Sequence, residues 1–355
     1  MAKNYYARLM MDTRRYNMLK ILFFAHDPGG ANAIKPLIEP LNKKGFKCLV
    51  YGKGPALKIL PNVIEYSGDT DKLIESIKPN FIITGTSASD MTEKELRLSA
   101  QKCGIECLAI LDSWVNYNRF TKYSTKELAK NKKYSELSYL PTYLIVMDEY
   151  AKNEAIKESV PKNIIYPLGN PHFEYIKNSF KALNVDELRK SLLKGKQKLI
   201  VWASEPYIED YGKGMEIECL KDLIEVVPND THLIIKPHPR EKLDKFDKFK
   251  GIAIVRDMSS LQMIKAADLV LSMTSMVLIE SIIANKATLS YQKNETDNEK
   301  FILTKMKALP FINDKFSLKK EIEERLKFHN KINLQIKFNA TENIIKFIEE
   351  RLCQN

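Results

Sequence analysis

The sequence predicts an α/β protein built from two doubly wound domains. Three observations carry this. The chain has 355 residues, too many for one ordinary core and about right for two. Short apolar runs alternate with amphipathic stretches, the pattern of βαβ units and a mostly parallel sheet. That pattern occurs twice, once in each half.

In the first half the candidate strands are Leu19–Ala25, Phe46–Tyr51, Phe81–Thr84, Cys107–Leu111 and Tyr143–Met147. Candidate helices are Ala31–Lys43, Asp71–Ile77, Thr92–Lys102 and Glu149–Glu158. Unbroken apolar runs such as Ile21–Ala25 suit parallel strands buried on both faces. In the second half the strands are Leu199–Ala203, Leu233–Lys236, Ile252–Val255, Leu269–Ser272 and Thr288–Tyr291. The helices are Met215–Val226, Ser260–Ala266, Met276–Ala284 and Leu318–Phe328. A last helix, Ala340–Leu352, is long enough to cross back onto the first domain.

The expected organisation follows. Residues 1–17 are a polar, basic extension, either a flexible tail or an upstream start, since the first strand pattern opens at Met18. Residues 18–170 form the first domain and 197–338 the second. Residues 171–196 link them, after a hinge at Gly169-Asn170-Pro171-His172, and 339–355 return. The polar run Asn116–Leu140 reads as an insertion at the mouth of the first domain. Two such domains facing each other make a cleft, and ligands bind outside the carboxyl ends of the strands.

Composition bounds the function. Apolar residues make up 44% and charged residues 28%, a globular mixture rather than a disordered one. Lysine plus arginine is 56 against 45 acidic residues, a net charge of +11. Such an excess favours anionic partners: nucleotides, acidic sugars, lipid headgroups or nucleic acid. Nucleic acid is set aside, because no helix-turn-helix, zinc module or RNA-binding aromatic motif accompanies the charge. No apolar run reaches the ~20 residues that span a bilayer, so a cytoplasmic location is expected. Five scattered cysteines make no disulfide framework and no zinc site.

The residues just after each strand carry the chemistry. His26-Asp27-Pro28-Gly29-Gly30-Ala31-Asn32 follows the first strand. Its glycines let backbone approach a ligand, and the helix start attracts anions. It is neither a dinucleotide fingerprint nor a Walker loop. His26 or Asp27 could be a general base, or Asp27 could simply cap the helix. Asp112-Ser113-Trp114 ends another strand. Trp114, with Asn116 and Tyr117, either stacks on a sugar or closes the core. Ser204, after the first strand of the second half, could donate to a phosphate. Lys236-Pro237-His238-Pro239-Arg240 is the strongest signal: two prolines stiffen a turn that holds three basic side chains, a setting for phosphate or a phosphorylated leaving group. Ser272-Met273-Thr274-Ser275 opens a helix, so Thr274 and Ser275 can bind an anion and Ser275 can cap. Glu280 either accepts a ribose hydroxyl or pairs with a lysine.

These motifs resemble the GT-B glycosyltransferase superfamily. Gly169-Asn170-Pro171 with Phe173 and Glu174 is similar to its interdomain stretch. His238-Pro239 followed by Thr274-Ser275 resembles the His-Pro and Ser/Thr motifs of bacterial sialyltransferases, CDP-glycerol glycerophosphotransferases and related capsule-assembly enzymes. Leu269–Tyr291 looks more distantly like the nucleotide-contacting segment of UDP-N-acetylglucosamine 2-epimerases. The resemblance implies a GT-B fold of two Rossmann-like domains and a transferase in surface-polysaccharide synthesis. It would move a sugar or glycerophosphate unit from a CMP-, CDP- or UDP-linked donor to a saccharide or lipid-linked acceptor hydroxyl. The alternative is a nucleotide-sugar epimerase or hydrolase. Catalytic roles fall to Asp27, His26 and His238. Nucleotide binding falls to Lys236, Pro239, Arg240, Ser204, Thr274, Ser275 and Glu280, and acceptor binding to Gly29, Gly30, Asn32, Asp112 and Trp114. The resemblance implies no required metal or cofactor. One departure stands: sialyltransferases carry paired acids before the glycine, and here Asp27 is single. An anionic membrane, where lipid-linked acceptors sit, is a further expected partner.

Overall fold

The computed structural model describes residues 19–87, 90–115, 117, 119–123, 137–328, 332, 334 and 336–352. The N-terminal extension and most of the 116–140 insertion lie outside them. The chain divides into two compact units, one of Met1–Tyr175 with Ile336–Asn355, the other of Ile176–Gln335.

The first unit is a seven-stranded sheet: β1 (Lys20–Ala25), β2 (Lys47–Gly52), β3 (Ile64–Glu65), β4 (Phe81–Thr84), β5 (Cys107–Ile110), β6 (Tyr143–Ile145) and β7 (Ile165–Tyr166). Every pairing is parallel, and the spatial order is β3-β2-β1-β4-β5-β6-β7. β1 lies between β2 and β4, with Leu22 level with Leu49 and Ile82. Its residues Ile21 to Ala25 are wholly buried, as a central strand covered on both faces requires. The helix Pro28–Lys43 covers one face through Ala33, Ile34, Leu37 and Leu41. The last helix, Ala340–Leu352, joins that core through Ile344, Ile345, Phe347 and Ile348. The opposite face holds a second cluster, Leu22, Phe24, Leu73, Ile82, Leu96 and Ala100.

The second unit is a five-stranded parallel sheet: β8 (Lys198–Ala203), β9 (Thr231–Lys236), β10 (Ala253–Ile254), β11 (Leu269–Ser272) and β12 (Ala287–Ser290). Its order is β10-β9-β8-β11-β12. Its core gathers Ile200, Trp202, Leu220, Leu223, Ile235, Leu271, Leu289 and Tyr291. Two parallel-sheet α/β domains are therefore present.

The differences from the sequence reading are local. The two-residue edge strands β3 and β7 are too short to show a period. The linker, 171–196, read as a polar helix-like run, forms two helices, Pro171–Ala182 and Asp186–Leu193, and the unit division falls inside the first, after Tyr175. Short helices at Tyr207–Tyr211 and Ile302–Lys305 have no counterpart in the sequence reading. No helix among the described residues is long and apolar enough to cross a membrane.

Candidate active site

In both sheets the strand order reverses between two neighbours, β1/β4 in the first unit and β8/β11 in the second. Doubly wound sheets bind ligands outside the carboxyl ends of such a pair.

In the first unit His26 and Asp27 follow β1. The imidazole Nδ1 lies 2.6 Å from Asp27 Oδ1, and Nε2 lies 3.9 Å from Asp90 Oδ2. Lys53, just after β2, donates to Asp90 Oδ2 at 2.8 Å. Burial alone would raise the Asp90 carboxyl. Hydrogen bonds from Lys53 and Thr92 outweigh it and hold the group below the usual carboxylate range. The imidazole therefore faces a carboxylate at each nitrogen, which suits a group that holds or moves a proton. Asp27 stands at the N-cap position of Pro28–Lys43 without a side-chain cap bond. The capping alternative therefore falls away, and the carboxylate serves the histidine instead.

These loops are held from beneath by the helix Thr92–Lys102. Glu93 is fully buried. Its Oε1 accepts the His26 N–H at 2.9 Å, and its Oε2 accepts the Ser87 N–H. One carboxylate thus ties the end of β1 to the end of β4. Burial pushes its carboxyl up to about 7, against the opposing pull of Arg97 and these N–H groups. Arg97, also buried, donates to Tyr139 O, Thr84 Oγ1 and Gly85 O at 2.9, 3.2 and 3.2 Å. Arg119 donates to Thr86 O, Asp112 Oδ1 and Ser113 Oγ at 2.6, 3.0 and 2.9 Å.

The acceptor-side expectations change here. A Cβ on Gly30 would come within 2.9 Å of the Gly85 backbone, and one on Gly29 within 1.7 Å of Asp112 Oδ2. The space these glycines leave is filled by the protein itself rather than by a ligand. Asp112 is tied to Arg119. Trp114 is buried, stacks on Phe173 at 5.7 Å and donates to Asp148 Oδ2 at 2.8 Å, so of its two readings the structure favours the core. Tyr117 is buried, and Asn116 lies outside the described residues. Asn32 is half-buried one turn into the helix.

In the second unit Glu205 follows β8, and its carboxylate sits at the end of β11. Its Oε1 accepts the N–H groups of Met273 and Thr274 at 3.0 and 2.6 Å, and its Oε2 accepts the Thr274 hydroxyl at 2.8 Å. The Ser272 hydroxyl lies 2.9 Å from Oε1. Burial raises the carboxyl, and the Thr274 donors pull it back only in part. The anion expected at Thr274 is thus an internal carboxylate. Ser275 caps Met276–Ile283, accepting from Val277 N at 3.3 Å. Glu280 is half-buried farther along that helix.

The turn after β9 is closed by the Glu241 N–H on His238 O at 3.0 Å, with Pro239 in its second position, the position that suits proline. His238 is half-buried. Burial lowers its pKa, and the Arg240 charge lowers it further. Arg240 itself is spent on Asp210, in a two-pronged pair at 2.6 and 2.9 Å. Lys236 donates to Arg256 O at 2.7 Å, and burial lowers its pKa. Ser204 is buried and donates to Glu241 Oε1 at 2.7 Å, so its hydroxyl serves the fold. Glu209, Glu216 and Glu241 bring their carboxylates together as a metal site would. The Lys245 ammonium reaches all three, at 3.0, 2.8 and 2.7 Å.

The structure thus brings His26 and Asp27 together at one switch point, and Ser204, Thr274 and Ser275 at the other, with His238 in the turn after the neighbouring strand β9. The sequence reading missed Lys53, Asp90, Glu93, Glu205 and Glu241. One signal existed: Glu93, Leu96, Arg97 and Ala100 share the inward helical face.

No protein-family model and no curated protein matches the chain. Solved structures do resemble it. A UDP-GlcNAc 2-epimerase from Methanocaldococcus jannaschii aligns with TM-score 0.70 at 19% identity, covering 94% of this chain and 100% of that one. S. aureus MnaA, in a co-structure with UDP, aligns with TM-score 0.72 at 17% identity, over 95% and 97%. The wall teichoic acid polymerase TagF, soaked with CDPG, aligns with TM-score 0.60 at 14% identity, over 99% and 96%. The fold is accordingly GT-B-like.

Proposed function

We propose that the chain is an enzyme of nucleotide-activated sugars or polyols. It would move a sugar or glycerophosphate unit from a CMP-, CDP- or UDP-linked donor to a hydroxyl of a growing surface polysaccharide. The observation that carries this reading is the His238 turn. It places a stiffened imidazole, with Lys236 at its base, at the carboxyl end of a central strand of a GT-B-like domain. In this reading His238, Lys236 and the Ser275 helix start meet the nucleotide phosphates. Glu280 meets the ribose. Arg240, Ser204 and Thr274 carry less of the load, because Asp210, Glu241 and Glu205 already engage them. The His26–Asp27 pair, with Asp90 on its far side, takes the acceptor proton.

Fixed donors aimed at developing phosphate charge are worth a few kcal/mol each. His238→Ala should therefore lower turnover by about a hundredfold or more. The first measurement is a thermal-shift series with CMP, CDP, UDP and GDP. A ligand at ~100 times its Kd stabilises by about 2.7 kcal/mol, and no response to any of the four would sink the reading. A cytoplasmic place beside an anionic membrane, with a lipid-linked acceptor, belongs to the same proposal; co-sedimentation with anionic vesicles checks it, and indifference to them would remove the membrane.

A second reading has its own support. Both alignments with the higher TM-scores described above, to the M. jannaschii epimerase and to MnaA, point to a nucleotide-sugar epimerase or hydrolase. Incubation with UDP-GlcNAc alone separates the two. An epimer or free nucleotide formed without acceptor supports epimerase or hydrolase; an absolute need for an acceptor supports transfer.

A further inference from the structure

The turn after β9 contains a second device. His238 Nδ1 accepts the Arg240 N–H at 3.2 Å. A nitrogen that accepts carries no proton, so the neutral ring has its hydrogen on Nε2. The turn that makes this contact is anchored by one side chain. Glu241 is buried at 3% exposure. Its Oε2 accepts the backbone N–H of His238, while Oε1 accepts from Ser204 at the end of β8 and from Lys245. Lys245 is in turn fixed by Glu209 and Glu216.

We propose that Glu241 is a positioning residue that clamps this turn to the end of β8, holding His238 Nδ1 on the Arg240 N–H so that Nε2–H is the donor offered to a phosphate oxygen. His238 then serves as a hydrogen-bond donor and not as a proton acceptor. The ligand rests on the function proposed above, but the clamp does not. The charged groups around the ring are Arg240, Lys236, Asp210 and Glu209. None of them makes the contact to the His238 backbone that Glu241 makes.

The test reads the clamp directly. In the wild-type chain the Arg240 amide resonance should move with the titration of His238, because a proton on Nδ1 ends the N–H···N bond. In Glu241→Ala that coupling should vanish, and affinity for the nucleotide that the thermal-shift series selects should fall about tenfold, the equivalent of one hydrogen bond. Glu241→Gln keeps a carbonyl for the His238 N–H and should retain the coupling. Lys245→Met, which removes one of the two donors to Oε1, should weaken it and serves in place of Glu241→Ala if that variant does not fold. An Arg240 amide blind to His238 in the wild type, or equally coupled in every variant, overturns the proposal. Coupling as expected with no nucleotide bound would leave the clamp standing and remove the proposed function instead.

Discussion

The two units solve one problem in two ways. Each has a pair of loops at the point where its strand order reverses, and each ties them with a single glutamate. In the first unit Glu93 rises from a helix beneath the sheet, is fully buried and receives one N–H from each loop. In the second, Glu205 belongs to one loop, is half-buried and reaches across to the other. The first unit adds backbone packing, Gly30 on Gly85. The difference lies in what a ligand would meet. The first tie takes the backbone N–H of His26 and leaves the His26–Asp27 side-chain pair intact. The second lies at the end of β11, just ahead of the helix cap Ser275, where an incoming anion would compete with Glu205 for the Met273 and Thr274 donors. A carboxylate in such a place both shapes an anion cradle and discourages a bound anion.

The largest test of this contrast is the pH dependence of Glu93. Burial pushes its carboxyl up to about 7 in the folded protein, from an ordinary value of 4.5. Between those values the folded state holds the extra proton, so stability falls as pH rises from 4.5 through 7 and then levels. The full contribution is roughly 3 kcal/mol at 1.36 kcal/mol per unit. Glu93→Gln should flatten that slope in urea melts taken from pH 4.5 to 8. A slope unchanged in the variant would show that the carboxylate is not the tie.

Glu205→Ala comes next. It strands the N–H groups of Met273 and Thr274 and the Thr274 hydroxyl, with water able to replace part of the loss. A cost of about 2 kcal/mol is expected, read as a lower midpoint in chemical denaturation. The variant also frees these Met273 and Thr274 donors, so inorganic phosphate should stabilise it more than the wild type. Equal responses to phosphate would mean that Glu205 does not compete with anions.

How much of this was legible in the sequence follows from how far each interaction reaches. Strands such as Ile21–Ala25 and helices such as Ala340–Leu352 announce themselves by local period, and the His238 turn by two prolines in three residues. The glutamates do not. Glu205 after a strand reads as surface charge until Thr274, some seventy residues on, supplies its donors. Glu241 likewise needs Ser204. Lys53 and Asp90 are ordinary loop residues until the β2-β1-β4 order sets them beside His26. Trp114 shows the converse: an aromatic at a strand end suggests a sugar platform, and only its stacking on Phe173 returns it to the core.

Gly30→Ala probes the packing that only the first unit has. The new methyl meets the Gly85 backbone at 2.9 Å, closer than carbon atoms tolerate. Overpacking of this kind costs about 1–3 kcal/mol, and alanine returns about 1 kcal/mol as the better helix former. A net loss of about 1 kcal/mol is expected, smaller than the loss of either glutamate. A neutral or stabilised variant in chemical denaturation would show that the two loops have room between them.

The smallest effect is expected where the sequence signal was loudest. Arg240 forms a two-pronged pair with Asp210, but its side chain is 61% exposed. Exposed pairs of this kind are worth about 0–1 kcal/mol, because water and salt screen them and ordering two side chains costs entropy. Arg240→Ala should therefore shift stability by less than about 1 kcal/mol. It keeps the backbone N–H that holds His238 Nδ1. What it removes is a positive charge that depresses the His238 pKa, so in the variant that pKa should rise toward the usual value. A folded pKa depressed below the unfolded one contributes stability above the unfolded value, lost as pH falls from there through the folded one; in Arg240→Ala this loss should end at higher pH and be smaller. A His238 titration indifferent to Arg240 would leave burial, with Lys236, as the cause of the depression, and the turn would then present a histidine whose protonation Arg240 does not govern.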